Sequence, residues 1–232
     1  CCGRRAATPM FDFDALPPNA ALQGGARPHT ALLLIDCQKS FLNGYWALSF
    51  GLDQVKPIER AFANTVQLLQ KPDRLDRCAV LCTKCYTDGE EAEYDDALRP
   101  LVAGVPCVWK PTTDVTRNPL FHEWFRERLA AGARTLVVGG CTTTSCVRVS
   151  SQAVRKQYRN ADLRVVVDLS LCGAREDNYL PNADQDPDLL RIYGRERCRG
   201  TSPVDLALLQ MRSGGVEVVD SFDWEAHAAA AS

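Results

Sequence analysis

What most restricts the fold of this chain is a set of short apolar runs that do not alternate with polar residues. They span residues 31–35, 79–82, 106–109, 135–138, 163–167 and 216–219. A strand with one face in water alternates apolar and polar positions. A run that is apolar throughout needs cover on both faces, as in a parallel sheet between two helix layers. Stretches with helical spacing separate the runs. Val55, Ile58, Phe62, Val66 and Leu69 fall on one helix face, and Leu120, Phe121, Trp124, Phe125 and Leu129 on another. A last helix is announced by Ser202 as N-cap, Pro203 at its first position and Asp205 in its first turn, and it stops at Gly214-Gly215. Strand–helix alternation of this kind predicts one doubly wound, Rossmann-like α/β domain with a six-stranded parallel sheet and helices on both faces. Residues 1–28 carry Pro, Gly and no apolar period and read as an N-terminal tail, which leaves 29–232 for the domain.

In doubly wound sheets the ligand lies beyond the carboxyl ends of the strands, near the point where strand order reverses. That rule selects the residues to weigh. Asp36 follows the first run, Cys82 to Asp88 the second, Lys110 the third, Gly139 to Cys146 the fourth, and Asp168 to Arg175 the fifth. The fourth loop reads Gly139-Gly140-Cys141-Thr142-Thr143-Thr144-Ser145-Cys146-Val147-Arg148. A thiol at a helix start feels the positive end of the helix dipole and nearby N–H groups, so Cys146 is expected as a thiolate nucleophile beside its own oxyanion donors. Asp36 ends an apolar strand and is placed to take a proton. Lys110 supplies positive charge close by. The competing readings are a buried structural thiol, a strand-end cap and a snorkelling surface lysine.

The run ALLLIDCQKSF, a lysine after the third strand and GGCTTTSCVRVSSQAV after the fourth resemble the isochorismatase-like cysteine hydrolase superfamily, over roughly residues 30–221. The resemblance implies a catalytic Asp36–Lys110–Cys146 triad. It also implies a cis peptide at Cys141-Thr142, with the N–H groups of Thr142 and Cys146 as the oxyanion hole. Nicotinamidases of this superfamily hold a metal through histidines after the first two strands. No histidine occurs here between His29 and His122, so no metal or other cofactor is expected. Isochorismatases proper lack the cysteine, so its retention favours amide chemistry. The loop is closest in motif to N-carbamoylsarcosine amidase and maleamate amidohydrolase, relatives that hold a substrate carboxylate with an arginine after the fifth strand. Arg175 matches that position, while residues 176–200 match nothing recognisable. Phe41 and Trp46, with Tyr86 and Trp109, are candidates for an apolar pocket wall or for plain core packing.

The expected activity is hydrolysis of a C–N amide or carbamoyl bond in a small carboxylated substrate, through a thioester. The alternatives are a vinyl-ether hydrolase or a catalytically silent binding subunit. Lys+Arg 27 against Asp+Glu 29 gives a net charge of −2, with no basic excess for nucleic acid. No apolar run approaches the roughly 18 residues of a membrane span. Eleven cysteines cannot all pair, and they read as reduced thiols of a cytoplasmic protein. Cys78, Cys82 and Cys85 lack metal-ligand spacing and read as structural. His122 is expected on a helix surface rather than paired with Cys146. Residues 88–96 are expected as a solvated acidic helix face. The superfamily implies a homodimer or homotetramer.

Overall fold

The computed structural model describes residues 29–71, 78–85 and 89–225; the expected tail and Tyr86 lie outside them. The apolar runs become six strands: β1 (Thr30–Ile35), β2 (Cys78–Cys85), β3 (Cys107–Lys110), β4 (Thr135–Cys141), β5 (Arg164–Gly173) and β6 (Glu217–Val219). Every neighbouring pair is parallel, in the spatial order β3-β2-β1-β4-β5-β6. The chain steps outward from β1 to β3, then crosses to the other side of β1 for β4. The carboxyl ends of β1 and β4 therefore flank the reversal of strand order.

The unbroken apolar pattern is explained by burial on both faces. Leu32 and Leu34 of β1 join Val80, Val137 and Val166 on one side, under Ile58, Phe62 and Leu69 of helix α2 (Lys56–Leu69). Leu33 and Ile35 join Leu81, Leu136 and Val165 on the other, under helices α3 (Pro119–Ala130) and α4 (Arg148–Gln157). Phe121 and Phe125 of α3 are fully buried there, each contributing about 1.5–3 kcal/mol by leaving water. Asn118 caps α3 by accepting from the Leu120 N–H, and Pro119 opens it. A short helix α1 (Tyr45–Phe50) follows β1. Beyond β5 come α5 (Pro187–Tyr193), α6 (Arg195–Cys198) and α7 (Pro203–Ser213), the last capped by Ser202 as its sequence predicts.

Two local expectations are corrected. The fifth strand does not end at Val167 but runs to Gly173, because after a register shift Cys172 and Gly173 pair with Gly140 and Cys141 of β4, and its polar Asp168 is satisfied. Asp168 Oδ1 accepts from the Ser170 N–H and hydroxyl at 3.0 and 2.6 Å, and Oδ2 from the Phe222 N–H at 3.1 Å. The described part of the acidic stretch is not a solvated helix face. Only Gly89–Ala92 is helical, as one 3-10 turn, and although Glu90, Glu93 and Asp96 are exposed, two carboxylates of the stretch also bind the protein. Glu91 accepts from the Tyr45 N–H at 2.8 Å, and Glu93 pairs with buried Lys84 at 3.3 Å. Buried Tyr94 bridges to Gln38 just after β1.

Candidate active site

Four consecutive strands of the sheet each deliver one side chain to the same place. From β1 comes Asp36, fully buried and at φ 51°, a left-handed conformation that aspartate tolerates better than most residues. From β2 comes Thr83, whose hydroxyl donates to Asp36 Oδ1 at 2.6 Å and accepts from the Asp36 N–H at 3.1 Å. From β3 comes Lys110, with Nζ 2.6 Å from Asp36 Oδ2 and neither side chain exposed. From the end of β4 comes the turn carrying Cys146, whose thiol is coupled to the charges of Asp36 and Lys110.

The two glycines before that turn have a steric reason. A Cβ on Gly140, at φ 109°, would lie 2.0 Å from the Ile35 carbonyl oxygen, and one on Gly139 would lie 2.8 Å from Leu171 Cβ. Only glycine lets β4 pass this close to its neighbours. The Cys141–Thr142 peptide is cis, as the resemblance implied, and the Cys141 thiol donates to the Asp36 carbonyl at 3.1 Å. The chain then forms a π-helical turn, Thr143–Val147, that leads into α4. The N–H groups of Ser145 and Val147, on either side of Cys146, both donate to the Thr142 carbonyl at 3.0 and 3.2 Å.

The electrostatics correct one expectation. Cys146 is not poised as a resting thiolate: its pKa is pushed up to about 11, first by burial and then by the Asp36 carboxylate. The Lys110 charge and the neighbouring Ser145 pull the other way without prevailing. Cys146 sits well inside the turn rather than at its first N–H groups, and the adjacent carboxylate opposes the helix dipole. Burial by itself would lower the Lys110 ammonium, but the charges of Asp36 and Cys146 outweigh it, and Lys110 is held above its ordinary value. The site at rest is a thiol beside a buried carboxylate–ammonium pair.

A cavity of about 520 Å³ opens at Cys146, and Thr142, Arg175, Phe41 and Trp46 line it as well. Phe41 and Trp46 pack with ring centroids 5.0 Å apart, and the Arg175 guanidinium lies 4.2 Å from the Phe50 ring. Trp109 does not line the cavity; its ring lies 5.7 Å from the Lys84 ammonium instead. His122 is spent elsewhere, between the Tyr158 hydroxyl and the Thr116 carbonyl, both at 2.8 Å. Cys85 donates to Gln38 Oε1 at 3.2 Å, its thiol pushed up to about 12 by burial and then by the Asp36 charge. Among the described residues no group of His, Cys, Asp and Glu is arranged to hold a metal. Sequence reasoning passed over Thr83, although it stands one residue beyond Cys82, which pairs with Leu34 two residues before Asp36. It also missed the cavity wall formed beyond residue 186.

No curated protein sequence matches the chain. Among solved structures, the nicotinamidase PncA from Bacillus subtilis is 17% identical, with a TM-score of 0.57 over 83% of this chain and 99% of that one. The N-carbamoylsarcosine amidase from Thermoplasma acidophilum is 17% identical, with a TM-score of 0.54 over 84% and 98%. The YcaC gene product of Escherichia coli, described as an octameric hydrolase of unknown specificity, is also 17% identical, with a TM-score of 0.54 over 89% and 80%. At this identity the likeness is one of fold. The isochorismatase domain model matches residues 30–183, which run from the first residue of β1 past the nucleophile turn and Arg175, and on that match the chain belongs to the isochorismatase family of hydrolases.

Proposed function

We propose that this family member is a cysteine-dependent amidohydrolase that cleaves a C–N amide or carbamoyl bond in a small carboxylated substrate. The observation that carries the reading is Cys146 beside the buried Asp36–Lys110 pair, with Thr83 as a second partner of Asp36, in a cavity that Cys146 lines together with Arg175. Asp36 takes the thiol proton as Cys146 Sγ attacks the carbonyl carbon, so the thiolate appears only as it reacts. The N–H groups of Thr142 and Cys146 receive the oxyanion, since their neighbours at Ser145 and Val147 are spent on the Thr142 carbonyl. Asp36 returns the proton to the leaving nitrogen as the C–N bond breaks, leaving a thioester and free ammonia or amine. Water then attacks the thioester with Asp36 as base; the C–S bond breaks, and the carboxylic acid and the thiol are regenerated. Lys110, 2.6 Å from Asp36 Oδ2, keeps a positive charge beside these transfers. Arg175, its guanidinium stacked on Phe50, takes the substrate carboxylate.

The test is a panel of small amides, ureido acids and carbamoyl acids, assayed for ammonia release. Cys146→Ala is expected to remove turnover of any active compound while the circular dichroism spectrum and melting temperature stay near wild type. Turnover that survives the substitution refutes the nucleophile. We further propose that the enzyme is a cytoplasmic homo-oligomer. The cysteines at 37, 82, 85, 107, 141, 146, 172 and 198 form no disulfide, although Cys82 and Cys107 are direct partners across β2 and β3. Tyr45, Leu48 and Leu52 also leave apolar surface exposed around α1. Among the described residues no helix is long and apolar enough to cross a membrane.

A further inference from the structure

The family match ends at residue 183, but the cavity does not. Its wall continues with Leu189, Ile192 and Tyr193 of α5 and with Pro203, Ala207 and Gln210 of α7. Five of these six present carbon to the space, and Phe41 and Trp46 add aromatic surface from the β1 side. The wall is tied to the nucleophile turn. Gln210 Oε1 accepts from the Tyr193 hydroxyl and, at 2.8 Å, from Arg148 Nη1, while Arg148 Nε donates to the Thr144 carbonyl at 2.9 Å. Gln210 is further held by Gln152, which donates to its carbonyl at 3.0 Å. Asp186 Oδ1 is taken up in capping α5, accepting from the N–H groups of Asp188 and Leu189. These bonds fix α5 and α7 against the turn before any ligand arrives, so the apolar lining is preformed and costs little ordering on binding.

We infer that residues 186–210 form an apolar arm pocket, so that the substrate carries, besides the acid group held at Arg175, an aliphatic or aromatic group of about phenyl size. The inference takes its acid anchor from the functional reading above and adds the second arm. A volume of about 520 Å³ lies in the range of roughly 300–1,000 Å³ that encloses drug-sized ligands. Leu189 and Tyr193 also pack on the small core of Ala183, Cys198 and Leu206, whereas Ile192 lines the cavity with most of its surface exposed, an apolar wall that the smallest ureido acids would leave uncovered. Arg148 stands in the same wall but is directed onto protein acceptors, which leaves Arg175 as the cation for the acid.

The test reads binding without turnover. Calorimetric titration of the wild-type protein with butyrate, hexanoate and 4-phenylbutyrate is expected to show affinity rising along the series, by about tenfold or more overall, since matched apolar groups in such pockets are worth factors of this size. Leu189→Ser and Ile192→Ser are expected to shrink that gain severalfold and to leave butyrate binding unchanged. Ile192 is 61% exposed, so its substitution spares the fold. A flat series, a gain untouched by both substitutions, or no binding by any of the three acids overturns the pocket. Because no bond is cleaved in these titrations, the amidase reading fails separately, by turnover that survives Cys146→Ala.

Discussion

Replacing Asp36 by Asn separates what the buried pair does for stability from what it does for chemistry. The two side chains are wholly inaccessible and their charged atoms lie 2.6 Å apart. Asn keeps the volume and can still meet the Thr83 hydroxyl, but it leaves the Lys110 ammonium buried without its counter-charge. Breaking a buried pair from one side costs about 3–5 kcal/mol, a large part of a typical 5–15 kcal/mol stability. The cost also has a pH signature. Without Asp36, burial is the dominant influence on Lys110, and its folded pKa falls below the unfolded value near 10.4. The unfolded state then binds the extra proton, so stability rises with pH, and the destabilisation of Asp36→Asn shrinks as pH climbs from 7 towards 10. Wild type has the opposite sign at this group. Its raised Lys110 pKa contributes stability below about pH 10.4 that is lost as pH climbs through the folded value. Asp36→Asn/Lys110→Met removes both charges and is expected to recover most of the lost stability and none of the activity. Urea unfolding of wild type, Asp36→Asn and the double variant at pH 7 and 9, with turnover on each, measures all of this. A single variant as stable as wild type, or a double variant no more stable than the single, would refute the argument.

Other consequences can be measured on the same protein. With the Cys146 thiol pushed up to about 11, alkylation of this residue by iodoacetamide should accelerate about tenfold per pH unit from 7 to 10; a rate already flat between pH 7 and 9 would mean a resting thiolate. Asp36→Asn should make the same alkylation faster at pH 7, because the carboxylate that raises the thiol is gone and Lys110 remains. Thr83→Val removes one partner of the Asp36 carboxylate and one of its N–H, and should cost about 1–3 kcal/mol in urea unfolding together with a fall in kcat; an unchanged kcat would show that Thr83 does not position Asp36. Gly140→Ala forces a Cβ to within 2.0 Å of the Ile35 carbonyl, so the melting temperature should fall by several degrees or the protein should fail to fold, and a neutral substitution would contradict the close β1–β4 approach.

The sheet was legible because burial on both faces writes itself into every position of a strand. β1 is apolar from Ala31 to Ile35 for that reason, and Asp36 stands out as the first residue beyond it. Lys110 was legible by the same contrast, a charge ending an apolar strand, and it is one of the largest fully buried side chains in the protein. What the residues alone could not give were effects that depend on neighbours from other strands. The Cys146 thiol looks acidic from its own loop and is not, because Asp36 arrives beside it from β1. Thr83 reads as one more residue of a strand until β1 and β2 come into register. Asp168 reads as the start of a loop, but Ser170 and Phe222 satisfy it and the strand continues. The outer wall of the cavity was hidden for another reason. The apolar residues of α5 sit on a helix of seven residues, too short to declare a period, and they divide between a small core of Ala183, Cys198 and Leu206 and the cavity.

The central claim is that turnover passes through a thioester on Cys146. Rapid acid quench of wild-type enzyme during turnover, followed by intact-protein and peptide mass spectrometry, reads this directly. The predicted result is an increase in mass equal to the acyl group of the substrate, located on Cys146, discharged on longer incubation and missing from Cys146→Ala. Full-rate hydrolysis with no adduct at any quench time, and with Cys146→Ala still active, would contradict the account.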